Sequence, residues 1–289
     1  MPLISPQRWN RIGDWVWHAL LPFLYFIFRQ FPARAASDVG ERLGRRFGRL
    51  RSPLSTLAAL ESLRRIRPDY SEAQREEAVQ RMWEQIGRVQ AETVVIERIW
   101  DSGAVTIRNA EIVTRAVQSR RPIIFVFPHL GNWELLAIAA QLLGASVPSV
   151  YEILPERHEF ELIQRSRRRI GHRVIAPDRD GLIALLGALK RGEAIGLGID
   201  EFKGGNVIAP SFGRPPRTDT NVRLIESLAR RFDAPVIPTY CVRTAPFEFV
   251  LHVLEPLERP SATQLDALCE SWIRAHPEQW YMLPRLRLA

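Results

Sequence analysis

The sequence predicts an α/β protein in which a central, mostly parallel sheet is flanked by helices and preceded by a helical N-terminal membrane anchor. From Ala104 onward, short apolar runs of strand length alternate with stretches whose apolar residues recur every three to four positions. This alternation favours parallel strands joined by crossover helices. Before Ala104 the pattern is helical. No Pro/Ser-rich linker interrupts the chain, so we expect an anchor over residues 1–35 and one domain over residues 36–289.

Composition limits the class of protein. The 289 residues can bury a sizeable core, and an apolar content of 46% is typical of a folded chain. Lys and Arg outnumber Asp and Glu by 40 to 32, which favours an anionic partner such as a phospholipid surface, nucleic acid or an acidic protein. No nucleic-acid-binding motif appears, so nucleic acid is not expected as a partner. The two cysteines, Cys241 and Cys269, lack metal-type spacing and are expected in the core.

An apolar, aromatic-rich segment at residues 15–28 has arginines on both sides. It is shorter than the roughly 20 apolar residues that a spanning helix requires. No small-residue cleavage site of the signal-peptide kind follows it. Aromatic and arginine side chains are favoured in the interfacial zone of a bilayer. We therefore expect a tilted or half-embedded membrane anchor; the alternative is a buried core helix.

Helical segments follow the predicted anchor. Residues 33–53 are rich in arginine and glycine, and they form either a solvated amphipathic helix or a basic face that lies on anionic lipid headgroups. A second helix is expected to end near Ile66. Ser71 and Gln74 match a capping box, which predicts the start of a long helix that reaches Trp100.

The predicted alternation then occupies most of the remaining chain. The expected strands are residues 105–107, 123–127, 146–151, 173–175, 194–199, 236–242 and 249–253. The expected helices are residues 110–119, 135–143, 155–169, 181–190 and 220–232. These lengths fit ordinary strands and helices of an α/β sheet.

The most informative segment follows the central apolar strand. Pro128 cannot donate to a strand ladder and Gly131 permits a sharp turn, so the strand ends here. Asn132 is a favoured N-cap, which predicts a helix that begins at Trp133. His129 then lies in a strand-to-helix crossover, at the sheet edge where open α/β proteins usually place their chemistry.

His129 and Glu134 together suggest acid–base chemistry. A neutral imidazole can take a proton from a hydroxyl while a carboxylate on its other nitrogen fixes the tautomer. The crossover has no serine or cysteine nucleophile, so we expect direct transfer to a substrate hydroxyl. The amides that open the helix at Gly131 and Asn132, or a nearby arginine, could bind a substrate oxyanion. The alternative is a structural, hydrogen-bonded His129 beside an exposed Glu134.

The segment from His129 to Glu134, His-Leu-Gly-Asn-Trp-Glu, resembles the H-x4-(D/E) box of bacterial lipid A biosynthesis acyltransferases. These lauroyl/myristoyl transferases belong to the wider glycerolipid acyltransferase group. The resemblance covers roughly residues 80–285 in the family's order. Besides the box, it includes the segments 82–92, 181–200, 210–213, 234–238 and 273–280.

The resemblance implies a glycerolipid acyltransferase-like fold and an enzyme at the cytoplasmic face of the inner membrane. Such an enzyme moves a fatty acyl chain from acyl carrier protein to a hydroxyl of a lipid A precursor. By position, His129 is the general base and Glu134 its partner; the acyl thioester is a co-substrate, and neither a metal nor a cofactor is implied. Alternatives are acyl-CoA as donor, another glycolipid or a lysophospholipid as acceptor, and a non-enzymatic basic protein at the membrane.

Charged residues complete the substrate-binding candidates. Asp200 follows a predicted strand, and we expect it either to orient the acceptor or the base, or to cap a turn. The same alternatives apply to Glu201. Glu201 occupies the position where the family usually has Gln. Arg167 and Arg169 belong either to a solvated helix face or to a contact surface for phosphate or the acyl carrier. Arg214 is a candidate phosphate contact.

Overall fold

The computed structural model describes residue 23 and residues 25–150, 157–176 and 178–288, with residues 157–162 described by their backbone alone. Within these ranges the strands are β1 (Val105–Arg108), β2 (Ile123–Phe127), β3 (Ser149–Val150), β4 (Val174–Ile175), β5 (Ala194–Gly198), β6 (Glu201–Lys203), β7 (Asn206–Ala209), β8 (Val236–Ala245) and β9 (Glu248–Val253). The helices are α1 (Ala33–Arg51), α2 (Pro53–Ile66), α3 (Glu72–Glu92), α4 (Ile96–Asp101), α5 (Ala110–Gln118), α6 (Glu134–Leu142), α7 (Arg157–Arg169), α8 (Arg179–Lys190), α9 (Asn221–Phe232) and α10 (Ala262–Ala275). Two 3-10 turns, Pro277–Gln279 and Leu283–Arg285, lie near the C-terminus.

The main sheet confirms the predicted α/β architecture. It has seven strands in the order β1-β9-β8-β2-β5-β3-β4. Neighbouring strands are parallel except β8 and β9, which form an antiparallel hairpin. In β2, Ile124 and Val126 pack with α8, α9 and α10, whereas Ile123 and Phe125 pack with α5. Both faces of β2 are thus buried, which explains its unbroken apolar sequence.

Helix α3 begins at the predicted capping box. The Ser71 hydroxyl accepts the backbone N–H of Gln74, and the Gln74 side chain accepts the backbone N–H of Ser71. The helix predicted to reach Trp100 is instead interrupted after Glu92 and resumes as α4. The break contains the β-branched run Thr93-Val-Val95, whose members have low helix propensity.

One side of the core is covered by elements that were not predicted from the sequence. The hairpin β6–β7 follows β5 directly, and α10 with the C-terminal 3-10 turns covers the same cluster as α8 and α9. Trp280 and Leu283 are fully buried there. Cys241 and Cys269 are free and buried, as predicted for core residues.

Helix α1 packs closely along α3 because glycines line the contact. A Cβ added to Gly40 would overlap the carbonyl oxygen of Gly87, so only glycine permits this approach. Elsewhere on α1, Leu43, Phe47 and Leu50 are exposed.

Most of the predicted anchor, residues 15–28, lies outside the described residues, so its membrane insertion and the boundary at residue 35 stay predictions. Tyr25 and Phe28 are buried in one cluster with residues of α1 and α4, whereas Phe23 and Phe26 are exposed. None of the helices in the described part of the chain has both the length and the apolar character needed to cross a membrane.

Candidate active site

His129 and Asp200 lie side by side because their strands are parallel neighbours in register. Phe127, the last residue of β2, pairs with Gly198, the last residue of β5. The chain then continues by the same number of residues to His129 after one strand and to Asp200 after the other. Because the carboxyl ends of parallel strands meet at one sheet edge, the two side chains converge there.

Asp200 holds both the backbone and the ring of His129. Its Oδ2 accepts the backbone N–H of His129 at 2.9 Å, and its Oδ1 lies 2.8 Å from Nδ1 of the ring. The Trp280 indole N–H also donates to Oδ2, at 2.8 Å. Burial alone would raise the pKa of Asp200, but attraction and hydrogen bonds from His129, together with the Trp280 bond, outweigh burial and lower that pKa. An ionised Asp200 favours the tautomer with its proton on Nδ1, which leaves a lone pair on Nε2.

The C-terminal segment fixes the crossover that carries His129. The backbone N–H of Tyr281 donates to the carbonyl of His129 at 3.0 Å, and the N–H of Gly131 donates to the carbonyl of Gln279 at 3.1 Å. Gly131 has a φ of 58°, and a Cβ there would lie only 2.6 Å from the carbonyl oxygen of Cys241. Gly131 therefore shapes the turn, and it does not line the cavity described below.

Glu134 does not pair with Nδ1 of His129, so the predicted orienting contact is wrong. Its carboxylate instead forms a bidentate pair with Arg167, with Oε1 2.5 Å from Nη2 and Oε2 3.0 Å from Nε. Burial alone would raise the pKa of Glu134, but attraction and hydrogen bonds from Arg167 outweigh burial and lower that pKa. Glu134 is also buried, contrary to the structural alternative in which it was exposed.

Asn132 faces the protein interior. It is fully buried, and its Nδ2 donates to Oε2 of Glu92 at 2.8 Å. Oε2 of Glu92 also accepts a hydrogen bond from Arg243 at 2.8 Å. Oε1 of Glu92 accepts a hydrogen bond from the Ser37 hydroxyl at 2.5 Å. The predicted N-cap role of Asn132 is therefore wrong. Helix α6 starts at Glu134 with Trp133 at the N-cap position and no side-chain cap. The buried network joins the crossover to α1, α3 and β8.

The remaining predicted substrate contacts have different positions. Glu201 lines the cavity, but its Oε2 accepts the Asn221 backbone N–H at 2.7 Å at the start of α9, and burial raises its pKa. Arg169 lies away from the cavity and approaches Glu97 at 3.6 Å. Arg214 donates from Nε, Nη1 and Nη2 to backbone carbonyls at 2.8–3.0 Å, so its donors support a loop instead of facing the cavity.

His129 lines a mainly apolar cavity of about 370 Å³. The His129 side chain is 28% exposed, whereas that of Asp200 is fully enclosed. The cavity is lined by apolar side chains from the sheet, α5, α6 and α7, among them Phe125, Phe127, Leu136, Leu143, Val147 and Val253. Gly196 and Gly198 of β5 also line it, and a Cβ on Gly198 would lie 3.4 Å from Cε1 of His129. A histidine held by a buried carboxylate and a mainly apolar cavity therefore share one site.

Comparison with known proteins agrees with this geometry. The model of the family described as "Bacterial lipid A biosynthesis acyltransferase" matches residues 8–288. This chain belongs to that family. The enzyme is 24% identical over 261 residues to a lipid A biosynthesis palmitoleoyltransferase of Escherichia coli (strain K12), covering 84% of this chain and 83% of the relative. It has the same identity and coverage to a lipid A biosynthesis acyltransferase of Shigella flexneri.

The family assignment confirms an acyltransferase and the resemblance read from the His129–Glu134 box. The hydrogen bonds between Asp200 and His129 agree with the sequence alternative in which Asp200 orients this histidine. Sequence reasoning missed the Trp280 donor to Asp200. The sequence did single out the segment 273–280, which contains Trp280, because it resembles a family signature. The contact between Trp280 and Asp200 could not be inferred from that resemblance.

Proposed function

We propose that the enzyme moves a fatty acyl chain from an acyl carrier protein thioester to a hydroxyl of a lipid A precursor. The observation that carries this proposal is a histidine, oriented by the buried carboxylate of Asp200, on the wall of a mainly apolar cavity. An imidazole that is fixed through Nδ1 can act as a base through Nε2. The cavity provides an apolar environment for a hydrocarbon chain.

The reaction needs one proton acceptor and no enzyme nucleophile. His129 Nε2 removes the proton of the acceptor hydroxyl while that oxygen bonds to the thioester carbonyl carbon. The tetrahedral species collapses, the carbon–sulfur bond breaks, and the departing thiolate takes the proton from the imidazolium. The products are an ester and a free thiol. Asp200 stabilises the imidazolium during this cycle because its negative charge is held at Nδ1.

Charge supports the choice of donor and acceptor. The net charge of +8 favours association with an acidic carrier protein and with a phosphorylated glycolipid. Arg285 lies among the cavity-lining residues near Tyr281 and is a candidate contact for either. Acyl-CoA as donor, or another glycolipid or a lysophospholipid as acceptor, would use the same base.

We also propose that the enzyme binds the cytoplasmic face of the inner membrane through α1. Leu43, Phe47 and Leu50 recur at helical spacing on one face and are exposed. Beside them, Arg42 and Arg46 are exposed and form no salt bridge with another described residue. Apolar side chains flanked by arginines fit an anionic lipid surface.

The test is transfer by the purified full-length protein in detergent. Acyl carrier protein and acyl-CoA thioesters of one chain are offered separately, each with a lipid A precursor or a lysophospholipid, and products are identified by mass spectrometry. We expect ester formation with the carrier-protein thioester and the lipid A precursor, and loss of turnover in His129→Ala. His252→Ala, which changes a histidine on β9 outside the cavity lining, serves as the matched control.

The outcomes separate the parts of the proposal. Full turnover in a folded His129→Ala variant would refute the general-base assignment. Transfer from acyl-CoA alone, or to the lysophospholipid alone, would replace the donor or the acceptor while the base stays.

A further inference from the structure

The apolar cavity contains a polar patch, formed by Ser149, Gln164 and His172, that the proposed transfer step does not use. All three side chains line the cavity. Gln164 is 6% exposed, and among the described residues neither its Oε1 nor its Nε2 has a hydrogen-bond partner. Nδ1 of His172 is likewise buried without a partner within the described part of the chain. Polar side chains from α7, from β3 and from the segment between α7 and β4 thus line one mainly apolar cavity.

The patch presents both donors and acceptors. Ser149 Oγ lies 2.7 Å from Nε2 of His172, so this pair is internally bonded while Nδ1 faces outward from it. Burial lowers the pKa of His172, which keeps the ring neutral, with one nitrogen a donor and the other an acceptor. The Gln164 amide adds a second donor and a second acceptor. Buried amide atoms without partners are unfavourable, so a ligand group that bonds them gains affinity there.

The patch favours a neutral ligand group over a phosphate. The nearby cation, Arg167, is neutralised by its bidentate pair with Glu134. A phosphate would have to break that pair or enter without a free positive charge. A hydroxyl, in contrast, both donates and accepts one hydrogen bond and adds little volume to a hydrocarbon chain.

The patch is displaced along β5 from the proposed base. A Cβ on Gly198 would contact His129, and a Cβ on Gly196 would lie 3.2 Å from Ser149 Oγ. These two glycines are separated by one residue on β5, which corresponds to about 7 Å along a strand. A reacting hydroxyl must lie within about 3 Å of its base, so the patch contacts a different part of the substrate.

We propose that the cavity is built for an acyl donor whose hydrocarbon chain carries a hydroxyl part-way along its length, bound between Gln164 and His172. This rests on the proposed acyl transfer, because the thioester end must lie at His129. The other lining residues, among them Val113, Phe125 and Val253, are mainly apolar and suit the hydrocarbon around that hydroxyl.

The experiment compares matched chains on the purified full-length enzyme. Dodecanoyl carrier-protein thioester competes in one reaction with isomers that carry one hydroxyl at successive carbons, and the product ratio is read by mass spectrometry. Titration calorimetry with the corresponding free acids measures binding without transfer. We expect one isomer to be preferred over the plain chain by about tenfold, because a site built to bond a hydroxyl discriminates against a chain that lacks it.

Variants connect that preference to the patch. Gln164→Leu and Ser149→Ala are each expected to reduce the preference towards one while the plain chain is still transferred. Gln90→Leu, the same change at an exposed cavity residue of α3, is expected to retain it. The proposal is overturned if the wild type shows no preference for any isomer, or if the preference survives Gln164→Leu. A binding preference without transfer from any donor would instead refute the proposed function.

Discussion

At the residue scale, His129 and Asp200 have different surroundings that suit the roles proposed for them. The imidazole is partly exposed and faces the cavity, whereas the carboxylate is enclosed and holds a negative charge against Nδ1. Three hydrogen bonds fix that carboxylate, two from His129 and one from Trp280. Each bond favours the ionised form of Asp200. In the proposed reaction, Asp200 therefore supplies orientation and negative charge to the His129 ring.

Asp200→Asn should reduce kcat by about a hundredfold to ten-thousandfold with a small effect on stability. An amide can present its N–H₂ to Nδ1, which favours the tautomer that carries its proton on Nε2, so the base is blocked. The measurement is thiol release from an acyl thioester in the presence of acceptor. Asp219→Asn, an exposed carboxylate, is the control. Turnover within twofold of the wild type in Asp200→Asn would contradict the orienting role.

At the element scale, a buried ion pair ties α6 to α7. Glu134 and Arg167 form two hydrogen bonds across these helices, and both side chains are largely enclosed. Breaking one partner of such a pair leaves an uncompensated charge in a poorly solvated place. Replacing both by apolar residues removes that cost.

Glu134→Leu alone and Arg167→Met alone should each lower the free energy of unfolding by about 3 kcal/mol or more. The double variant should lose clearly less than the sum of the two, because neither charge is left unpaired. Chemical denaturation of the four proteins of this cycle supplies the comparison. Additive losses would show that the two side chains do not interact.

The contact between α1 and α3 depends on glycine. Gly40→Ala should lower the free energy of unfolding by about 1–3 kcal/mol, because the added Cβ overlaps the carbonyl of Gly87 and the helices must separate. Gly187→Ala, inside α8, meets only the flexible end of Arg191 and should stabilise by up to about 1 kcal/mol through helix propensity. Thermal denaturation of both variants provides the test. Equal behaviour of the two would rule out close packing at Gly40.

At the scale of the whole molecule, arginines on α1 separate into two groups. Arg45 and Arg49 bind acids of α3, namely Glu84 and Glu76, so their charges are used within the fold. Arg42 and Arg46 are exposed beside apolar side chains on the same helix. Attraction to anionic lipid contributes about 1 kcal/mol for each arginine near the membrane surface. The fold thus leaves exposed the amphipathic face that we propose binds the membrane.

Phe47→Glu with Leu50→Glu should weaken binding of the full-length protein to vesicles that contain anionic lipid by at least about tenfold. Both changes remove apolar burial and add negative charge. Leu142→Glu, an exposed leucine on α6, is the matched control and should bind as the wild type does. Vesicle flotation at two salt concentrations measures the effect. Unchanged flotation of the double variant would show that this face does not contact the membrane.

The sequence alone determined the elements whose signals are local. The apolar run of β2, the turn at Pro128 and Gly131, and the capping box at Ser71 were all predictable, since each depends on neighbouring residues. The order of motifs along the chain also identified the family. Proximity in the sequence gave one wrong prediction. Glu134 was expected to orient His129 because the two residues are close in the chain.

Only the tertiary structure decided which carboxylate meets the histidine. Asp200 is 71 positions from His129, and it arrives there because β2 and β5 pair in parallel register. Likewise, Gln164 and His172 become a patch inside a cavity only when α7 covers the sheet. Pairing of distant strands depends on the packing of the whole core, whereas turns and caps depend on a few adjacent residues. Because of that difference in range, the sequence predicted the crossover, but it could not decide between Glu134 and Asp200 as the partner of His129.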